Sequence, residues 1–591
     1  MNSKNDTRAE YTLGLNAWHG DSAAAIFRGA ELIAATEEER IRRVKHWAGL
    51  PVEAVRFCLR EAGISLRDVA VLTVSRDPYA KLGQKILYAL RQGVFSKNLR
   101  ARAGNAFSIK TLKTDLALAF GVDPADWPVR VQFVEHHRSH LASAFFVSPF
   151  EEAALLSVDG MGDFTSTMRA IGRDNRIEVL DSVSYPHSLG IFYTAFTQLL
   201  GFPHYGDEYK VMGLAPYGKP VFLEKLRAVV RLKSDGLFEL DPRCFRHFSE
   251  GASMSWQGGA PEVGPLFSNY LAREFGPVRQ PGEPLTDRHR DLAASVQAMC
   301  EETIFHLATD LYRKTGLKNL CIAGGVAQNS VANGKLRSHT PFERVFVPPA
   351  GHDAGTSIGS ALYALHQIER LPRPEFRHHA YTGYRAGHAE IEALLTNHEL
   401  PIEKMPNDAL FDAVTDCLIR GGVVGWFQGR AEFGPRALGN RSILADPRRS
   451  DAQALLNEKI KRRESFRPFA PSVLHEQAAD YFENPDSVPF MEKVYPVRPE
   501  KRAVIPAVTH VDGTGRLQTV ERRDNPRYHR LIEVFFEKTG VPVLLNTSFN
   551  ENEPIVNTPE HALACFLRTN MDLLVLENYL VRRPTDTGQQ P

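Results

Sequence analysis

The sequence predicts an α/β protein in which a duplicated N-terminal architecture is followed by a second α/β domain. Three observations carry this. Apolar strand-like runs end repeatedly in Gly/Asp turns. One hairpin-led pattern occurs twice, at 11–36 and at 153–182, as a duplication would leave it, with two unrelated hairpins as the alternative these residues leave open. Beyond a Pro- and His-rich stretch at 372–388 the text becomes rich in arginine. At 591 residues the chain exceeds a single core, and roughly 100–200 residues per domain predicts three or more folding units.

Residues 11–36, "YTLGLNAWHGDSAAAIFRGAELIAAT", read as strand, polar glycine turn, strand, second turn, strand. "AALLSVDGMGDFTSTMRAIGRDNRIEVLDS" at 153–182 repeats this with its turn at Asp159–Asp163. Residues 129–135 are strand-like and "HHRSHLASAFFV" helix-like. Helical patterning also covers 188–200 and 287–316, and 320–336 reads as strand, Gly-Gly turn and helix start. The expected division is 1–371, a linker at 372–388, and 389–591.

Composition excludes several classes. Lys+Arg 71 against Asp+Glu 70 leaves a net charge of +1, which argues against a nucleic-acid or membrane-surface partner. Six cysteines stand far apart with no CxxC pair and read as buried thiols of a reducing compartment. The N-terminus has no apolar core of a leader, and no run approaches the ~18 apolar residues of a spanning helix. A cytoplasmic protein is expected.

The chemistry-bearing residues begin with His136, His137 and His140. His136 and His140 are four apart, so a helix points both the same way, while His137 points elsewhere. Imidazoles suit several transition metals, and carboxylates harden a site toward iron or manganese. Asp159 and Asp353, each just after a predicted strand, are the candidate carboxylates. Packing or capping without a metal remains open. The loops "DGMGD", "AGGVAQN" and "GHDAGTSIG" (351–359) are candidate anion grips, because glycine lets backbone N–H groups approach phosphate closely. No Gly-x4-Gly-Lys-Ser/Thr loop occurs, which excludes a P-loop NTPase.

From Arg430 to Arg467 the chain holds ten Lys/Arg and five Asp/Glu framed by Gly, Pro and apolar residues. Such framing turns some cations inward, toward an anion. Arg436, Arg441, Lys461, Arg463 and Arg467 are selected, with Arg448 and Arg449 assigned to the surface. Arg516 in "DGTGRLQTV" joins them, and the Asn546–Thr547–Ser548 cluster after an apolar strand suits triphosphate binding, although alone it reads more readily as an ordinary Ser/Thr turn.

The HxxxH helix, "YGDEYKVMGLAPYG" (205–218), "CIAGGVAQN" and the Asp353 loop together resemble an actin-like (ASKHA), metal-dependent carbamoyl-transfer domain shared with the enzyme that threonylcarbamoylates tRNA. "WFQGRAEFGPRALGNRSILADPR", "IKRRESFRPFAPSV", "DGTGRLQTV" and "NTSFN" look like the antibiotic and nodulation-factor O-carbamoyltransferases, whose C-terminal half resembles the carbamoyl-adenylate-forming YrdC domain. The order of motifs matches to about residue 580.

The resemblance implies a divalent ion, usually Fe2+, on His136, His140, Asp159 and Asp353. It implies an adenylate held by Lys210, Gly324, Gly325 and Asn329, and His19 as the base, oriented by Asp21. It implies that carbamoyl phosphate and ATP with Mg2+ are gripped by Arg436, Arg441, Arg463, Arg467, Arg516, Asn546 and Ser548, with Lys461 acting in the chemistry. The partner is then a small-molecule hydroxyl acceptor, its pocket shaped by 219–290, with a homodimer as one option for assembly. Other classes weighed were a tRNA-modifying enzyme and a non-catalytic nucleotide-binding regulator. Two departures from the family pattern are His352, where a small residue is expected, and a shortened loop after Asn550.

Overall fold

The computed structural model describes residues 10–92, 111–252, 254–256, 259–374 and 379–583. They fall into two compact units. The first takes residues up to Val211, Gly218–Gln328 and Leu336–His378; the second takes Met212–Tyr217, Asn329–Lys335 and everything from His379.

The first unit contains two five-stranded sheets built to one plan. In spatial order the first runs Glu31–Glu37, Ala23–Arg28, Tyr11–Asn16, Val69–Val74, Arg130–Phe133. The second runs Arg176–Ser184, Thr165–Arg173, Glu152–Gly162, Asn319–Ala323, Arg344–Phe346. In each, the leading strand pairs antiparallel with the second and the second with the third. It also pairs parallel with the fourth, and the fourth with the fifth. A shared order and a shared pattern of directions is what duplication leaves behind, and the unit has the actin-like fold. The parallel strands read as apolar runs because both faces are covered; Leu13, Leu15, Leu155 and Leu156 are fully buried.

The predicted turn at 159–163 takes another form. The strand Glu152–Gly162 runs straight through it, with a slip of register between Val158 and Gly162, and the chain reverses at Asp163 and Phe164, both left-handed (φ 48° and 71°). The glycines thus form a bulge, a device that re-aims side chains near functional sites.

The helix His136–Phe145 follows the last strand of the first sheet. Glu135 caps it, its side chain accepting from the Arg138 N–H, and it is buried on nearly every side. It packs on the helix Thr356–Leu362. The two backbones touch: a Cβ at Gly359 would lie 1.9 Å from the Ser139 carbonyl oxygen.

The second unit is a mixed α/β unit around a nine-stranded sheet. Its spatial order is Ile402–Lys404, Tyr579–Arg582, Leu573–Leu576, Val424–Phe427, Arg441–Ala445, Val543–Ser548, Ala470–Leu474, Thr514–Val520, Lys493–Pro496. Helices such as Asn407–Ile419, Pro526–Thr539 and Pro559–Arg568 cover it, burying Trp426, Tyr528, Phe535 and Phe566 in one core.

Of the expected linker 372–388, Arg373 is anchored to the carbonyls of Phe145, Ser148 and Phe150 in the first unit. Ala380–Tyr384 pairs with Ala431 and Phe433 in the second; residues 375–378 lie outside the described ones. All six cysteines are free and buried. Among the described residues no helix is long and apolar enough to cross a membrane.

Gly359→Ala should force the two packed helices apart. A loss of about 1–3 kcal/mol is expected for an overpacked contact, read by chemical denaturation against a surface control such as Gly387→Ala, where the added methyl meets nothing.

Candidate carbamoyl-transfer and anion sites

In the first unit four buried side chains converge. His136 and His140 stand on one face of their helix, Asp159 in the bulged strand, and Asp353 in the loop before Thr356–Leu362. His136 Nε2 lies 3.2 Å from Asp159 Oδ2 and 3.5 Å from Asp353 Oδ1. His140 Nε2 lies 3.8 and 3.3 Å from the same two oxygens and 3.1 Å from His136 Nε2. An ion about 2.1 Å from each donor would hold neighbouring donors roughly 3.0–3.4 Å apart, close to the spacing seen. Two imidazole nitrogens and two carboxylate oxygens, each facing the others, therefore fit a divalent metal.

Hydrogen bonds to backbone groups fix two of the ligands, His136 and Asp159. Asp163 accepts from the His136 and Asp77 N–H groups. The Gly325 N–H donates to Asp159 Oδ1 at 2.9 Å, and Ser188 donates to the carbonyls of Asp159 and Gly160. His137 is spent on Ser157 Oγ and the Thr165 carbonyl; burial, then the neighbouring His136, hold its pKa well below the ordinary value. Burial also disfavours the His136 imidazolium, but the hydrogen bond to Asp159 and the charges of Asp353 and Asp159 outweigh it, pushing His136 up to about 9. Asp353 is held well below the usual carboxylate range: burial opposes this, and His19, His140 and His136 prevail.

His19 sits at the mouth of this cage with Nδ1 against Asp353 Oδ2. The expectation that Asp21 orients His19 is corrected here. Asp21 Oδ1 pairs instead with His46 Nδ1 at 2.7 Å, because Asp21, left-handed at φ 57°, meets the 45–49 loop. Asp21, Glu39 and His46 form a second gathering of metal-capable groups. His352 is directed to Glu37, 3.9 Å away.

Of the expected adenylate ligands, Lys210 is paired with Asp207 at 2.8 Å, and Gly324–Gly325 back the Asp159 carboxylate. Asn329, in a segment grouped with the second unit, caps the helix Ser330–His339 through Ala332 N–H.

In the second unit Arg436, Arg463, Arg467 and Arg516 come together. Arg516 is held well below its ordinary pKa by burial and by the other three; Arg436 is pushed down to about 10 by burial and Arg467, with Glu492 opposing. Arginine does not give up its proton readily, so these shifts register cations crowded without enough counter-charge. Among the described residues the Arg516 Nε has no hydrogen-bond partner. The loop carrying Arg436 is tightly held. Glu432 Oε1 accepts from the N–H groups of Leu438, Asn440 and Arg441; Asn546 binds the Ala437 carbonyl and Gln518 the Leu438 carbonyl.

Two expected anion ligands are occupied otherwise. Arg441 is fully buried, stacks on Phe427 at 3.5 Å, and donates to the carbonyls of Gln428, Gly429, Asn440, Tyr384 and Asn557. Its guanidinium satisfies backbone and has no face left for phosphate. Lys461 Nζ is spent on the Ser548 and Asn550 carbonyls and Asn550 Oδ1 at 2.6–2.7 Å, so it braces the loop that carries Ser548. Arg448 and Arg449 pair locally with Asp446 and Asp451.

Sequence reading missed Glu432, Asp163 and His46. Glu432 lies inside "WFQGRAEFGPRALGNRSILADPR" and Asp163 closes "DGMGD", but neither stands at a spacing that marks its role, and His46 carries no spacing signal.

Both halves of the chain are similar to known proteins. Residues 11–362 match the family model "Carbamoyltransferase N-terminus" and 415–583 match "Carbamoyltransferase C-terminus". The chain is 42% identical to the uncharacterized protein sll1178 of Synechocystis sp., covering 97% of each chain. It is 40% identical to nodulation protein NolNO of Sinorhizobium fredii, over 96% of this chain and 80% of the relative. A 3'-hydroxymethylcephem-O-carbamoyltransferase of Amycolatopsis lactamdurans is 34% identical over 48% of this chain and 53% of its own. With both of its halves matched in order, the chain belongs to the carbamoyltransferase family and is an enzyme that transfers carbamoyl groups.

Proposed function

We propose that the chain is an ATP-dependent O-carbamoyltransferase working in two steps. The second half, 389–591, makes carbamoyl adenylate from carbamoyl phosphate and ATP with Mg2+: water releases phosphate from carbamoyl phosphate, and the carbamate oxygen bonds to the α-phosphorus of ATP as pyrophosphate leaves; the first, 1–371, moves the carbamoyl group to a hydroxyl of a small-molecule acceptor. The observation that carries this is the contact of His19 with Asp353 at the edge of the four-donor cage.

If His19 Nδ1–H donates to Asp353, its Nε2 keeps a lone pair and serves as general base. The acceptor oxygen then forms a bond to the carbamoyl carbon and its proton passes to Nε2. The bond from that carbon to the AMP phosphate oxygen breaks, and AMP leaves. Bound to His136, His140, Asp159 and Asp353, Fe2+ or another divalent ion would supply Lewis acidity toward the carbonyl and phosphate oxygens.

In the second unit Arg436, Arg463, Arg467 and Arg516 bind the phosphates through bidentate forks, with Ser548 and Asn546 at the strand end beside them. A hydroxyl acceptor is supported by the O-carbamoyl chemistry named for the cephem relative. Residues 219–290, outside every motif, are assigned to acceptor selection.

His136→Ala should leave carbamoyl phosphate-dependent pyrophosphate release from ATP intact while cutting transfer to a probe alcohol such as 3'-hydroxymethylcephem by two orders of magnitude or more. Arg436→Ala should abolish the pyrophosphate release itself. Equal loss of both steps in each variant would refute the division of labour. Independently, anaerobic titration of the chelator-stripped protein with Fe2+ or Mn2+ should raise its melting temperature and bind one ion per chain by elemental analysis, and His140→Ala should lose both effects.

A further inference from the structure

The turn that carries His19 is clamped from three sides. Asn16 Nδ2 donates to the carbonyls of Gly20 and Asp21, both at 3.0 Å. The 45–49 loop lies along it: Trp18 N–H donates to Gly49 O, Ser22 N–H to Trp47 O, and Gly49 N–H to Ser22 Oγ. Tyr205 presses from above, its hydroxyl so near Gly20 that a Cβ there would be 2.6 Å away. Its ring meets the edge of His46, centroids 5.3 Å apart.

Trp18, Asp21 and His46 are all left-handed (φ 59°, 57° and 54°), a backbone conformation that costs on the order of 1–2 kcal/mol per non-glycine residue. Such strain persists only where the surroundings over-determine it. The one charged link among these contacts is His46 Nδ1 to Asp21 Oδ1 at 2.7 Å; Glu39 accepts from the His46 N–H at 2.8 Å.

We propose that His46, through its ion pair with Asp21, is a positioning residue that holds the His19 turn so that His19 rests on Asp353. The inference rests on the reading of His19 as the transfer base. Removing the pair frees the turn to relax, and a displacement of about 1 Å at a reacting group costs up to roughly a hundredfold in rate.

The groups facing His46 are Asp21, Glu39, Lys45, Tyr205 and Glu208. Burial disfavours its imidazolium, but Asp21 and then Glu39 outweigh burial and Lys45, so the cation persists up to about pH 9. With the folded value above the ordinary 6.5, the stabilisation the pair gives is fully present below about pH 6.5 and is lost as pH rises through about 9, where the pair itself breaks. Transfer should therefore carry an alkaline limb near pH 9 that adenylate formation lacks.

The test compares wild type, His46→Gln, His46→Lys and His19→Ala as full chains loaded with metal, using 3'-hydroxymethylcephem as the probe alcohol and crystal structures of wild type and His46→Gln. His46→Gln should lower the transfer kcat at least about tenfold, with pyrophosphate release and metal content unchanged and the alkaline limb gone. His46→Lys, which keeps a cation, should restore most of the rate and move the limb upward. In the crystal of His46→Gln, His19 should have left Asp353. A wild-type rate, a retained limb, equal loss of pyrophosphate release, or His19 still seated on Asp353 overturns the proposal. If the probe is not turned over, the crystal structures decide. A fully active His19→Ala would overturn the parent reading; an inactive His19→Ala beside a normal His46→Gln would overturn this one alone.

Discussion

The structure of the first unit is governed by the burial of two carboxylates against each other. Asp159 and Asp353 are almost out of contact with water, and two like charges brought together in a poorly solvated place need compensation nearby. Every nearby element contributes to it. The helix His136–Phe145 turns two imidazoles toward them, the first hairpin adds a third at His19, and the Gly-Gly loop directs an N–H at Asp159. One proton cannot satisfy this set, since His136 and His140 face each other through Nε2 atoms that cannot both donate. The proposed divalent ion answers both requirements at once, neutralising two carboxylates and accepting two lone pairs.

The second unit poses the opposite problem, and the same rule sorts its cations. An arginine is structural where acceptors already surround it and available where they do not. Arg441 is enclosed by five carbonyls and Lys461 by the loop 548–550. Burial and then Arg467 depress the pKa of Arg436, and burial and then Arg436, Arg463 and Arg467 depress that of Arg516. Glu432 gathers three N–H groups on one oxygen and so holds the loop that carries Arg436.

Much of this was legible in the sequence, and what was legible is what local periodicity encodes. The HxxxH pair, the strand before Asp159 and the repeated hairpin each depend on neighbours a few residues apart, so spacing alone places them. The second sheet could be paired with the first because both begin with the same antiparallel triplet. The misreadings concern partners distant in sequence. Asp21 was matched to His19 two residues away, whereas its partner, His46, lies 25 residues on. Arg441 looked like its neighbours in composition, and only the tertiary position of Tyr384 and Asn557 shows that its donors are spent. The glycines of "DGMGD" signal a departure from regular strand but do not distinguish a bulge from a reversal; the register of the partner strand decides it.

The two sites differ in sign, and on the proposed reading that difference orders the reaction. ATP and carbamoyl phosphate are anions. An arginine cluster attracts them, whereas a cage with two ionised carboxylates repels them unless a cation sits inside. Phosphate-bearing co-substrates therefore meet the second unit first, where desolvated guanidinium groups gain most by binding them. Carbamoyl adenylate carries less negative charge than ATP, so it is released from the arginines more easily and resisted by the carboxylates less. A single mixed site would have to hold both charge patterns at once, and its arginines would pair with Asp159 and Asp353, cancelling the charges each step depends on.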